Sequence, residues 1–130
     1  MACSVCGAET VDFLVPDAYR EYAPDGAHAA SICSRCLTVE AADEGCEDPD
    51  FTRVSGAFPT RPDAAVPLAL ALGCCESLAT NRAALETLLE RIERAGVDPL
   101  LALDRLLAEP SVEPAIDLER RRVQLEALLY

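Results

Sequence analysis

Apolar and polar positions along the first forty residues change over in short steps. Val11, Phe13 and Val15 alternate with Thr10, Asp12 and Leu14, the period of two that marks a half-buried strand. Pro16 ends that run, Asp17 to Tyr22 has the length of one helical turn, and Pro24-Asp25-Gly26 is a turn signal. Ala29 to Ile32 then predicts a second strand and Leu37 to Glu40 a third. Phe51 and Phe58 flank a polar stretch containing Gly56, and the two rings are expected to dock this connector against its neighbours.

From about residue 63 the period changes to that of helices. Asp63 is the expected N-cap of a first helix, with Pro67 tolerated as a first-turn residue, and from Val66 to Leu78 almost every position is apolar or small, as in a helix buried on most of its circumference. Leu85, Leu88, Leu89 and Ile92 place a second helix over about Asn81 to Ala95, closed by Gly96. Asp98-Pro99 supplies an N-cap and a first-turn proline for a third helix carrying Leu100, Leu103, Leu106 and Leu107, which Pro110 stops. A last helix starts at Glu113 or Asp117 and turns Leu118, Leu125, Leu128 and Leu129 inward. The fold class predicted is α+β: an N-terminal zinc ribbon of short antiparallel strands with two Cys-x-x-Cys knuckles over 1–41, an acidic connector over 42–62, and a bundle of about four helices over 63–130.

The chemistry lies in the cysteines. Cys3-Ser4-Val5-Cys6 and Cys33-Ser34-Arg35-Cys36 supply four thiolates in two short loops, the spacing at which tetrahedral zinc is bound with each sulfur about 2.3 Å from the ion. Four thiolates close the coordination sphere, so the site is structural, with one zinc per chain. Gly7 suits the first loop, because a residue free to take positive φ lets backbone N–H groups turn toward the sulfurs. Leu37 stands at the matching place in the second loop, which predicts a less regular turn there. Iron in a rubredoxin-like electron carrier uses the same ligands, but rubredoxins carry a glycine after the second loop and a dense aromatic core. This chain has three Phe, three Tyr and no Trp.

The other candidates read as structural. Cys74 and Cys75 fall in the buried helix and pack as small apolar residues, and Cys46 is a spare ligand or an exposed thiol, with the first preferred. His28, the single histidine, reads as a loop residue facing solvent, and Arg120-Arg121-Arg122 as a salt-bridged face with Glu119 and Glu126. No Gly-rich phosphate loop, Ser/His/Asp set or carboxylate pair is present, so an enzyme is not expected.

Charge bears mainly on the solvent. Asp and Glu number 23 against 11 basic residues, the net charge is -12, and every basic residue is arginine. The acids are scattered, which suits a protein working in molar intracellular salt, where repulsion is screened within about 3 Å. A cytoplasmic place is expected, since no basic leader precedes Cys3 and the apolar run Ala64 to Cys75 is too short to span a bilayer. Nucleic-acid binding through the ribbon is not favoured: the charge opposes it, counterion release is weak in molar salt, and only Tyr19, Tyr22 and Arg35 lie near enough to stack. A protein partner is preferred, with no membrane and no small-molecule substrate.

With the knuckles CSVCGAE and ICSRC, the absence of Lys and the segment RAGVDPLLALDRLL, the chain resembles an uncharacterised family of small zinc-ribbon, zinc-finger-like proteins of halophilic archaea. The resemblance implies a ribbon followed by a helical half, with Cys3, Cys6, Cys33 and Cys36 as metal ligands. The lack of Pro inside either loop and of Gly after Cys36 departs from the commonest ribbon pattern.

Overall fold

The computed structural model describes residues 2–130. Three antiparallel strands, β1 (Thr10–Leu14), β2 (Ala29–Cys33) and β3 (Val39–Ala41), form a sheet in the order β1-β2-β3. The register pairs Phe13 with Ala30 and Ile32 with Val39. All five residues of β2 are buried, which its small side chains Ala29, Ala30 and Ser31 allow for a central strand crowded on both faces. Asp17–Tyr22 forms the expected helical turn, as a 3-10 helix.

Four helices follow: α1 (Pro62–Cys74), α2 (Leu78–Arg94), α3 (Pro99–Ala108) and α4 (Leu118–Leu129). The α+β class and the order of elements are those the periodicity predicts. Asp98 caps α3 by accepting from the N–H groups of Leu100 and Leu101, and Asp117 caps α4 by accepting from Arg120 N–H.

The start of α1 differs. Its N-cap is Arg61 in extended conformation, Pro62 is the first helical residue, and Asp63 lies inside the first turn bound to the Arg61 guanidinium. Proline at the first helical position, preceded by an extended residue, outcompetes the carboxylate cap. Pro67 consequently sits in the second turn and costs α1 the N–H that would bond the Asp63 carbonyl, a group at an exposed residue that water can reach. Leu128 also departs from expectation: it is 46% exposed, whereas Leu118 and Leu125 are buried.

α1 is the central rod. Ala64 to Leu72 are buried without a break, between α2 on one side and the sheet on the other. It comes close against the sheet at Gly73, where an added Cβ would lie 3.0 Å from the Val39 Cβ. A single hydrophobic cluster runs through Val11, Phe13 and Ile32 of the sheet, Phe51, Val54 and Phe58 of the connector, and the inward faces of all four helices. Phe51 is the hinge of that cluster, stacked on Phe58 at 5.1 Å and tilted against Phe13 at 5.4 Å. Among the described residues no helix is long and apolar enough to cross a membrane.

Candidate metal centre

Two loops face each other at one end of the sheet. The first, Cys3 to Ala8, is closed by Cys3 N–H donating to the Ala8 carbonyl at 2.8 Å; the second, Cys33 to Thr38, by Cys33 N–H donating to the Thr38 carbonyl at 3.0 Å. The antiparallel pair Ala2 and Glu9 brackets the first loop just as Ile32 and Val39 bracket the second. The two knuckles are thus the same structure repeated thirty positions apart. Gly7 has φ of 79° and Leu37 has φ of 62°, so the second knuckle is as regular as the first. The expectation of a less regular second turn is corrected: Leu37 adopts the left-handed conformation that glycine adopts freely, and its side chain, 5% exposed, is anchored in the main core.

The four sulfurs of Cys3, Cys6, Cys33 and Cys36 all lie within 4.8 Å of one another. Cys3 Sγ is 3.6 Å from Cys36 Sγ, and Cys6 Sγ is 3.4 Å from Cys33 Sγ. These separations are far longer than a disulfide and close to the ~3.8 Å edge of a tetrahedron whose centre is about 2.3 Å from each sulfur. The donor set therefore fits a metal ion. It is the one such group of His, Cys, Asp and Glu among the described residues.

Backbone amides turn inward onto the sulfurs. Val5 N–H donates to Cys3 Sγ at 3.3 Å, and both Arg35 N–H and Cys36 N–H donate to Cys33 Sγ at 3.4 Å. Ala8 N–H bonds the Cys6 sulfur and, as the largest influence on it, brings that thiol down to about 7. The Thr38 hydroxyl lies 3.0 Å from Cys36 Sγ. Burial acts the other way, pushing the Cys33 thiol up to about 12 and raising that of Cys36. A cation among four such sulfurs reverses the burial effect, because it stabilises thiolate, and the inward N–H dipoles then disperse the negative charge of the cluster.

The second knuckle is also strapped from the helical half. Glu113 N–H donates to the Arg35 carbonyl at 2.7 Å and Ala115 N–H to the Cys36 carbonyl at 3.0 Å, while the Arg35 guanidinium faces Glu113 at 3.7 Å. Sequence reasoning missed this strap, because the α3–α4 connector SVEPAID shows neither period. The sequence allowed the last helix to begin at Glu113; it begins at Leu118, capped by Asp117, and 113–117 is not helical.

The remaining candidates lie apart from the sulfurs. Cys46 is an exposed thiol, not a spare ligand; its backbone runs along the outer edge of β1, taking the Leu14 N–H at 3.2 Å. His28 is exposed at the opposite end of β2. Cys74 and Cys75 are buried in and just after α1, and burial raises their thiols to about 11 and about 12. Tyr19 and Tyr22 pack against the main core, with the Arg91 guanidinium 6.0 Å from the Tyr19 ring centre, and only Arg35 sits at the knuckles. Of the three arginines at 120–122, Arg122 is held by Asp104 and Glu126, and Arg121 by Gln124; the Asp104 contact was not foreseen and Glu119 takes no part in it.

Residues 2–129 match the model of a protein family described as Family of unknown function (DUF6276), and the chain belongs to that family. No curated protein and no solved structure matches it.

Proposed function

We propose that this protein is a small, non-catalytic, protein-binding adaptor in which one zinc ion, held by Cys3, Cys6, Cys33 and Cys36, fixes the recognition surface. The observation that carries the reading is the closure of the site: four sulfurs at tetrahedral spacing, each with at least one inward hydrogen-bond donor, leave no coordination position for substrate or water. Iron in a rubredoxin-like carrier is the alternative, since the paired knuckles and their N–H···S bonds would serve it equally. Zinc is preferred because the small cluster around the sulfurs contains only Cys3, Cys33, Cys36 and Ala8, with all three Phe rings in the main core. The haloarchaeal, cytoplasmic assignment rests on the scattered acids and the absence of lysine. A protein partner is preferred to nucleic acid on the net charge of -12 and on the engagement of both tyrosines with the core.

Metal analysis of the purified protein tests this directly. A colourless sample with one zinc per chain is expected. A red sample with iron overturns zinc in favour of electron transfer, and a metal-free sample that folds unchanged overturns the site itself.

A further inference from the structure

A hollow of about 220 Å³ opens beside the second knuckle, where the metal centre meets the helices. Its walls are Leu37 and Val39 from the second knuckle and β3, Leu72 from α1, and Ile116 and Leu118 at the start of α4; Val5 at the tip of the first knuckle forms part of the rim. Val5 is 60% exposed, an apolar side chain left at the edge of an apolar recess. One formal charge lines it: the carboxylate of Glu76, just after α1, which makes no ion pair among the described residues. The volume falls below the roughly 300–1,000 Å³ of sites that enclose cofactors or metabolites, and suits one large side chain. Such a recess is where a protein partner seats an anchor residue, with a polar rim excluding water around it.

We propose that this hollow receives one apolar side chain, of leucine size, from an extended segment of a partner protein, and that an arginine or lysine beside that anchor pairs with Glu76. The inference rests on the adaptor reading and names its binding site and the chemistry of its partner. Charge complementarity selects the flanking residue: the hollow has a carboxylate and no basic group, on a protein of net charge -12. The metal enters as the scaffold. Val5 belongs to one knuckle and Cys36 to Val39 to the other and the strand it feeds, while Ala115 is bonded to the Cys36 carbonyl, so the hollow is assembled only while the two knuckles are held together.

The test is an NMR titration of the metal-loaded full chain with acetyl-Ala-Arg-Leu-Arg-Ala-amide, at a salt concentration that keeps it folded. Saturable shifts are expected at the amides of Thr38, Gly73, Glu76, Ala115 and Ile116. Replacing the peptide leucine with alanine should weaken binding at least tenfold, and a second peptide with glutamate in place of both arginines should bind more weakly than the first. Glu76→Gln in the protein, an exposed change, should weaken binding of the arginine peptide about threefold and erase its preference over the glutamate one. Ala115→Trp, which plugs the mouth from an exposed position, should abolish the shifts. Equal binding of the leucine and alanine peptides, shifts elsewhere, or no saturable shift overturns the proposal. So does movement of the same amides on raising protein concentration without peptide, which would give the hollow to a second copy. Metal content and folded dispersion are read on the same samples: a zinc-loaded, folded protein indifferent to the peptide sinks the hollow alone, whereas a metal-free protein with an unchanged spectrum sinks the adaptor reading.

Discussion

Leu37 concentrates two opposed effects in one residue. Left-handed backbone costs a residue with a Cβ about 1–2 kcal/mol, whereas burying a leucine side chain contributes about 1.5–3 kcal/mol. Leu37→Ala keeps the cost and loses the burial, and should destabilise the metal-loaded protein by about 2–4 kcal/mol. Leu37→Gly loses the burial but relieves the backbone, so it should be no worse than the alanine variant. Chemical denaturation of the two reads the order, which is the reverse of glycine's usual disadvantage to alanine; alanine proving the more stable would show that the strain is not felt. The sequence located the knuckles through cysteine spacing but misjudged this turn, because the side chain that pins it is inserted in a core that spacing does not reveal. Cys75 carries a second residue-level consequence. Its thiol is neutral in the folded state up to about 12 through burial, against an unperturbed 9.0, so its contribution is intact below about pH 9 and is lost as pH rises from there toward 12. Melting temperature should fall over that interval in the metal-loaded protein, and less steeply in Cys75→Ala; equal slopes would place the alkaline loss elsewhere.

Among the elements, the helices were the most legible. Leu85, Leu88, Leu89 and Ile92 repeat along one face of α2 and are all buried, and Asp98-Pro99 opens α3 as its residue types require. Boundaries set by competition were less so, as at α1, where the two start signals Pro62 and Asp63 stand side by side. Least legible was the acidic stretch around Gly45 and Cys46, whose backbone lies along β1 as a partial fourth strand. Isolated bridges need no alternating pattern, so none appears in the sequence. Gly45 is what permits the approach: a Cβ there would lie 2.5 Å from the Phe13 carbonyl carbon and oxygen. Gly45→Ala should therefore push this segment off β1 and destabilise the protein by about 1–3 kcal/mol. Gly56, with open space around it, is the control, and Gly56→Ala should stay within about 0.5 kcal/mol. Thermal melts of the two variants decide it, and equal behaviour would mean the segment yields freely.

For the whole molecule, the main core and the sulfur cluster are separate bodies of contacts joined by hydrogen bonds. Removing the metal should consequently loosen the knuckles and the strap at 113–115 before the helices. Hydrogen exchange after chelation is expected to speed up at Cys33, Cys36 and Ala115 while Leu88 and Ile92 of α2 stay protected. Retained protection at Ala115 would show that the strap holds without metal, and loss throughout α2 would show that one cooperative unit includes the ion. That sheet and helices share a core was not legible beforehand, because Phe13, Phe51 and Phe58 are too few and too scattered to announce a common cluster.

The strap also fixes an order of events during synthesis. All four clustered sulfurs have been made once Cys36 is added, whereas Glu113 and Ala115 are added more than seventy-five residues later. A nascent chain can thus capture its ion while most of its leucines do not yet exist, and the finished chain then ties down a loop already loaded.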